Sequence, residues 1–167
     1  MLFTKEVSMM EKNFIHSIIN VSTEYSMWDS VILVPELIEK AKSMEAPAVI
    51  VTERNTLRSA PEVLTHCMEA GLRGSVGLRI DLQSREGLGE IALIPKDFEG
   101  FIAVGKLLSD APVHTGTGEP FVTLTDLQAQ FCIGTNLHGH VMLSTCGMKG
   151  LLAQTVSEGH RYHAVYA

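Results

Sequence analysis

The sequence has no surplus of basic residues: 13 Lys and Arg stand against 19 Asp and Glu, for a formal net charge of -6. Affinity for nucleic acid comes largely from phosphates neutralised by Lys and Arg, with release of their counterions. Direct DNA or RNA binding by this chain is therefore not expected. No apolar run approaches the ~20 residues that span a bilayer. Met1–Glu6 lacks the basic-then-apolar layout of a signal peptide. A cytoplasmic location without membrane contact follows as the expectation. Cysteine is scarce: Cys67, Cys132 and Cys146 are odd in number, widely spaced and free of any CxxC pair. That pattern argues for buried free thiols in a reducing compartment. Gly116-Thr117-Gly118 lacks the following Lys-Ser/Thr of a phosphate loop.

What is present is an ordinary globular composition, 46% hydrophobic and 19% charged over 167 residues, enough for one domain with a sizeable core. Residues 1–12 read as a mobile lead, 13–159 as the folded domain and 160–167 as a tail. Phe14–Val21 reads as a buried strand. Pro35 suits a first helical turn, and Leu33, Leu37, Ile38, Ala41 and Met44 share a helical face. Ala48–Thr52 is a short β-branched run, expected as a parallel central strand. Ser59 and Glu62 have the spacing of a capping box, and Gly71 suits a left-handed helix stop. Ser75–Leu82 and Glu90–Ile94 flank a turn-rich segment and predict a hairpin. Asp97 can cap a helix that ends before Pro112, and Thr123 with Asp126 forms a second capping box. His140–Ser144 is a strand candidate, and Met148–Val156 a final helical face. Strands alternating with helices predict an α/β fold with mainly parallel strands.

Specific lines of sequence add to this pattern. Ile18-Ile19-Asn20-Val21-Ser22-Thr23-Glu24-Tyr25-Ser26-Met27-Trp28-Asp29 resembles the opening of the PHP (polymerase and histidinol phosphatase) domain, most of all the version that begins the alpha subunit of bacterial DNA polymerase III. There the first strand ends in His-x-His-Ser, followed by Glu/Asp-Tyr-Ser. Ala46-Pro47-Ala48-Val49-Ile50-Val51-Thr52-Glu53-Arg54 resembles the family's Met-Pro-Ala run into Thr-Asp-His. Ala70-Gly71-Leu72 through Gly77-Leu78-Arg79 resembles its Ala-Gly-Ile run into Gly-x-Glu. Phe98-Glu99-Gly100-Phe101 and Leu143-Ser144-Thr145-Cys146 are similar to two later family segments. The resemblance implies a partial PHP-type barrel, a distorted TIM-like β/α arrangement that stops before the later family strands.

It also implies where metal ligands would stand. The family's two first-strand histidines are Asn20 and Ser22 here, its Asp is Glu53, its second-strand His is Arg54, and its third-strand Glu is Arg79. Amide and hydroxyl groups are poor ligands for zinc or manganese, and an arginine repels a cation by about 4 kcal/mol at ~4 Å and an effective dielectric of 20. Glu53 is expected to pair with Arg54 or Arg79. The expectation is therefore no catalytic residue, no cofactor and no metal at Asn20, Ser22, Glu53, Arg54 and Arg79. By implication the chain is a structural or protein-docking module of DNA replication, a pseudoenzyme meeting the polymerase proofreading subunit, other polymerase III subunits or a second copy of itself. Alternatives are a metal-dependent phosphoesterase or 3′–5′ exonuclease with a rearranged site at Glu53, His138 and His140, or a decoy that sequesters a replisome component. Tyr25 is expected in the core and Trp28 in either core or interface, with Met9, Met10, Leu88 and Tyr162–Ala167 as further contact candidates. Ser144-Thr145-Cys146 reads as a small-residue turn in preference to a thiol nucleophile.

Overall fold

The computed structural model describes residues 16–84, 87–146 and 150. The expected lead, the tail, the final helical face of Met148, Leu151, Leu152, Thr155 and Val156, and the contact candidates Met9, Met10 and 162–167 lie outside those residues. In chain order the elements are β1 (Ile18–Val21), α1 (Val34–Ser43), β2 (Ala48–Arg54), α2 (Ala60–Ala70), β3 (Arg73–Gln83), β4 (Leu88–Pro95), α3 (Phe98–Asp110), β5 (Phe121–Thr123), α4 (Leu124–Phe131) and β6 (Val141–Thr145). The strands form a six-stranded sheet, curled like part of a barrel wall, in the order β1-β2-β3-β4-β6, with β5 also beside β3.

The sheet is mixed, so the expected mainly parallel arrangement is not confirmed. β1 with β2, β2 with β3 and β3 with β5 are parallel. β3 with β4 and β4 with β6 are antiparallel. The reason is the short connection between β3 and β4, closed by Ser84 N–H donating to the Gly87 carbonyl at 2.9 Å. A connection that short can only join antiparallel neighbours, because a parallel pair needs a crossover. β5 then takes up the edge of β3 beyond β2, pairing Asp81–Gln83 where β2 had paired Arg73–Arg79.

Strand alternation divides the sheet into two faces. Val49, Val51, Val76, Leu78, Ile80, Leu82 and Leu93 are buried on the helix-covered face. There they meet Val34, Leu37 and Ile38 of α1, Val63 and Cys67 of α2, and Val104 and Leu107 of α3. The opposite face is polar towards one end, carrying Thr52, Arg54, Arg79, Asp81 and Glu90.

The helix ends follow their local chemistry. The Asp97 carboxylate accepts from Gly100 N–H at 2.9 Å, and Thr123 and Asp126 form a reciprocal capping box. Gly71 ends α2 at φ 73°. Ser59 corrects the expectation: it has helical φ and ψ and makes no capping bond. Its would-be partner Glu62 accepts instead from the Tyr25 hydroxyl at 2.7 Å. No helix among the described residues is long and apolar enough to cross a membrane.

Candidate functional site

The strand register brings all five singled-out positions to one end of the sheet. Arg54 and Arg79 face each other in the β2/β3 ladder. Thr52 links them to β1: its hydroxyl donates to Asn20 Oδ1 at 2.8 Å, while its carbonyl accepts from Ser22 Oγ at 3.1 Å and from Arg79 Nε at 3.3 Å. Asn20 reaches this position at φ 60°, where the β1/β2 pairing also shifts register.

Glu53 does not pair with either arginine, which corrects the sequence expectation. Being odd-numbered on β2, it points to the helix-covered face while Arg54 points to the other. Its fully buried carboxylate accepts from Thr23 N–H at 3.2 Å, from Thr23 Oγ1 at 2.5 Å and from Ser26 Oγ at 2.5 Å. Ser26 Oγ in turn accepts from the Arg54 backbone N–H at 2.7 Å. Glu53 thus anchors the loop after β1 to the end of β2, as a buried charge must be anchored if it is to be tolerated.

The two arginines are instead held by carboxylates from other elements. Arg54 pairs with Glu90 of β4, with Glu119 of the loop before β5, and with Asp81 of β3 at 3.2 Å. Arg79 pairs with Asp29 at 2.7 Å and with Glu90 at 3.5 Å. Glu90 is buried and bridges both guanidiniums. Burial opposes the charge of Arg54, but the Glu119 hydrogen bond and the charges of Asp81, Glu119 and Glu90 outweigh it and hold the guanidinium above its ordinary value. His114 stacks on Phe121 with ring centroids 4.3 Å apart, its Nε2 lying 3.8 Å from Asp81 Oδ2. Cys146 lies beside Glu90, and burial, reinforced by that carboxylate, pushes its thiol up to about 11. A thiol in that state stays protonated at neutral pH and is a poor nucleophile.

Above this lattice opens a cavity of about 680 Å³, lined among others by Glu24, Tyr25, Trp28, Arg54, Asn55 and Glu119. Tyr25 is half-buried against the first core cluster. Trp28 is 99% exposed at φ 71°. A left-handed backbone costs a residue with a bulky side chain on the order of 1 kcal/mol. Leu88 is exposed as well.

The rearranged alternative fares differently. His140 Nδ1 sits 2.7 Å from Asp97 Oδ2 at the start of α3, and the His140 carbonyl accepts from Lys96 N–H at 2.9 Å. Lys96 follows the last residue of β4, which runs antiparallel to β3, so His140 is at the far end of the sheet from Glu53. Glu53, His138 and His140 are not brought together. Among the described residues no group of three or more His, Cys, Asp and Glu side chains could hold a metal ion.

Asp29, Asp81, Glu90 and Glu119 were not singled out from sequence. Part of the signal was there: Arg79 and Asp81 share a strand face, and the hairpin sets Asp81 opposite Glu90. Glu119, 65 residues from Arg54, left no local trace.

A family model for the PHP domain matches residues 19–165. The chain belongs to the PHP family. It is 27% identical over 103 residues to the DNA polymerase III alpha subunit of Pseudomonas fluorescens, a stretch covering 60% of this chain and 9% of that protein. For the same subunit of Buchnera aphidicola the figures are 28% over 106 residues, 62% and 9%. For that of Halalkalibacterium halodurans they are 31% over 68 residues, 41% and 6%. This PHP chain therefore spans less than a tenth of the length of these subunits. Among solved structures, a metal-dependent phosphoesterase from Bifidobacterium adolescentis aligns at TM-score 0.43 and 16% identity, covering 59% of this chain and 40% of that one. An amidohydrolase from Chromobacterium violaceum aligns at TM-score 0.47 and 14% identity, covering 56% and 32%.

The residues present do not fit the metal ions that the PHP resemblance implies. By that resemblance Arg54 and Arg79 take the places of imidazole and carboxylate ligands, and the nearby carboxylates are already bound to guanidinium groups. An ion entering there would have to displace an arginine from buried Glu90.

Proposed function

We propose that this PHP domain is a non-catalytic module that acts in DNA replication as a structural or docking domain. The observation that carries the reading is the arginine–carboxylate lattice at the ligand positions. The two guanidiniums bind Asp29, Asp81, Glu90 and Glu119, so the fold needs no metal to hold these carboxylates together. A metal-activated water is the usual source of the nucleophile in metal-dependent phosphoester hydrolysis, and the carboxylates here are bound to guanidiniums instead. The partners that suit the reading are replisome proteins, the proofreading subunit or other polymerase III subunits, and a second copy of the chain.

The test has two readings on one sample. Protein purified without added metal and dialysed should carry less than stoichiometric zinc, manganese or iron. It should also leave p-nitrophenyl phosphate and the 3′ ends of single-stranded DNA uncleaved when Mn²⁺ or Zn²⁺ is supplied. Retained stoichiometric metal, or metal-dependent turnover lost on substitution of Asp81 or Glu90, would overturn the reading.

A further inference from the structure

The cavity above the lattice is not neutral. Asp29, Asp81, Glu90 and Glu119 meet the guanidiniums of Arg54 and Arg79, with the His114 ring 3.8 Å from Asp81. Four carboxylates against two guanidiniums leave a negative excess, and at the cavity wall Glu24 and Arg58 offset each other. Two acceptors in residues that line this cavity, Glu24 Oε2 and Asn55 Oδ1, are shielded from solvent and have no hydrogen-bond partner among the described residues. Met27 and Trp28, which also line the cavity, are 75% and 99% exposed, and Val31 three residues on is 91% exposed. Such a run of exposed apolar side chains marks a contact surface more often than free surface, and tryptophan is among the residues most often found at binding hot spots.

We propose that the mouth of this PHP domain receives a cationic side chain, arginine or lysine, carried by an apolar segment of a protein partner. The cation lies against the Trp28 indole and draws the Glu24 and Asn55 side chains round to accept from it, while its apolar neighbours cover Met27 and Val31. Cation–π attraction to indole, charge-assisted bonds to a carboxylate and the negative excess all favour the same occupant. An anionic occupant such as a phosphate would meet that excess head-on. The inference rests on the docking reading above and names the chemistry of its partner.

Trp28 is the only tryptophan in the chain, so its emission reports on this site directly. The probe is an acetylated leucine–arginine–leucine amide, compared with peptides in which neutral citrulline or glutamate replaces arginine. The arginine peptide should shift Trp28 emission to shorter wavelength, saturably, and bind about tenfold more tightly than the citrulline peptide, the scale of one charge-assisted contact. Glu24→Gln should remove most of that preference. Asn55→Gly, which tolerates the φ of 55° at this position, should weaken arginine binding more than citrulline binding. Equal binding of arginine and citrulline peptides, tighter binding of the glutamate peptide, no shift with any of them, or an unaltered preference in both variants would overturn the inference. Hydrolysis of p-nitrophenyl phosphate is followed on the same sample. Turnover there counts against the docking reading, whereas absent turnover with no arginine preference counts against this inference alone.

Discussion

Replacing Arg54 by Met removes a guanidinium that holds three carboxylates from three elements, and Glu90 is among the buried ones. Removing one partner of a buried ion pair typically costs on the order of 3 kcal/mol, because the remaining charge is left poorly solvated. Arg54→Met should therefore lower the urea-unfolding free energy by about that amount, while Glu119→Gln, at a more exposed partner, should cost about 1 kcal/mol or less. Equal effects from the two would mean that Glu90 is not the member that matters. The thiols give a second test at this scale. Cys132 is exposed, whereas Cys67 and Cys146 are buried and held in their protonated forms by that burial. Iodoacetamide at about pH 8 should label Cys132 quickly and the other two only after unfolding.

Among the elements, α3 is tied to the turn before β6 from two directions. Asp97 caps the helix and also meets His140, and the Gly100 Cα approaches the His140 carbonyl so closely that a Cβ would overlap it. The bond from Gly100 N–H, aided by His140, holds the Asp97 carboxyl below its ordinary 3.8. A depressed carboxyl stabilises the fold above its unfolded pKa, and that contribution fades as pH falls through the folded value. The unfolding midpoint should therefore drop as pH falls below about 4. In Asp97→Asn, which keeps a capping oxygen without the charge, the drop should be shallower. Gly100→Ala should lower the melting temperature outright, since overpacking against backbone costs about 1–3 kcal/mol.

The same elements show what a sequence discloses. Helices α1 and α3 were legible because Pro35 and Asp97 act on neighbours within a turn, and the hairpin was legible because turn residues interrupt two β-branched runs. Ser59 was misread because its box partner, Glu62, is claimed by Tyr25 from another part of the chain. Glu53 was misread because opposite charge suggested a partner, whereas strand alternation puts adjacent residues on opposite faces. At the mouth the five positions named through family likeness lie together, but their partners depend on strand pairing that no local pattern specifies.

For the molecule as a whole, β1 and β6 end the strand order, and each pairs on one side only among the described residues. Ile19, Met142 and Leu143 are exposed there. Open edges with apolar side chains favour association. Sedimentation across a concentration series, alone and with the polymerase alpha, proofreading and clamp subunits, should show self-association or complex formation. A strict monomer that meets none of them would remove the support for docking. A chelator should leave the melting temperature unchanged, because the arginines hold the carboxylates together.

The shared hold on Glu90 also bears on how such a site could have arisen and whether it could be undone. Arg54→His alone would leave Asp81, Glu90 and Glu119 crowded around a weaker cation, and Arg79→Glu alone would set another anion against Glu90. Each single step towards a metal site is thus less stable than its starting point, and the benefit of an ion comes only once several ligands stand together. The lattice works as a mutational ratchet. Descendants of this chain would sooner elaborate the surface around the mouth than recover the chemistry within it.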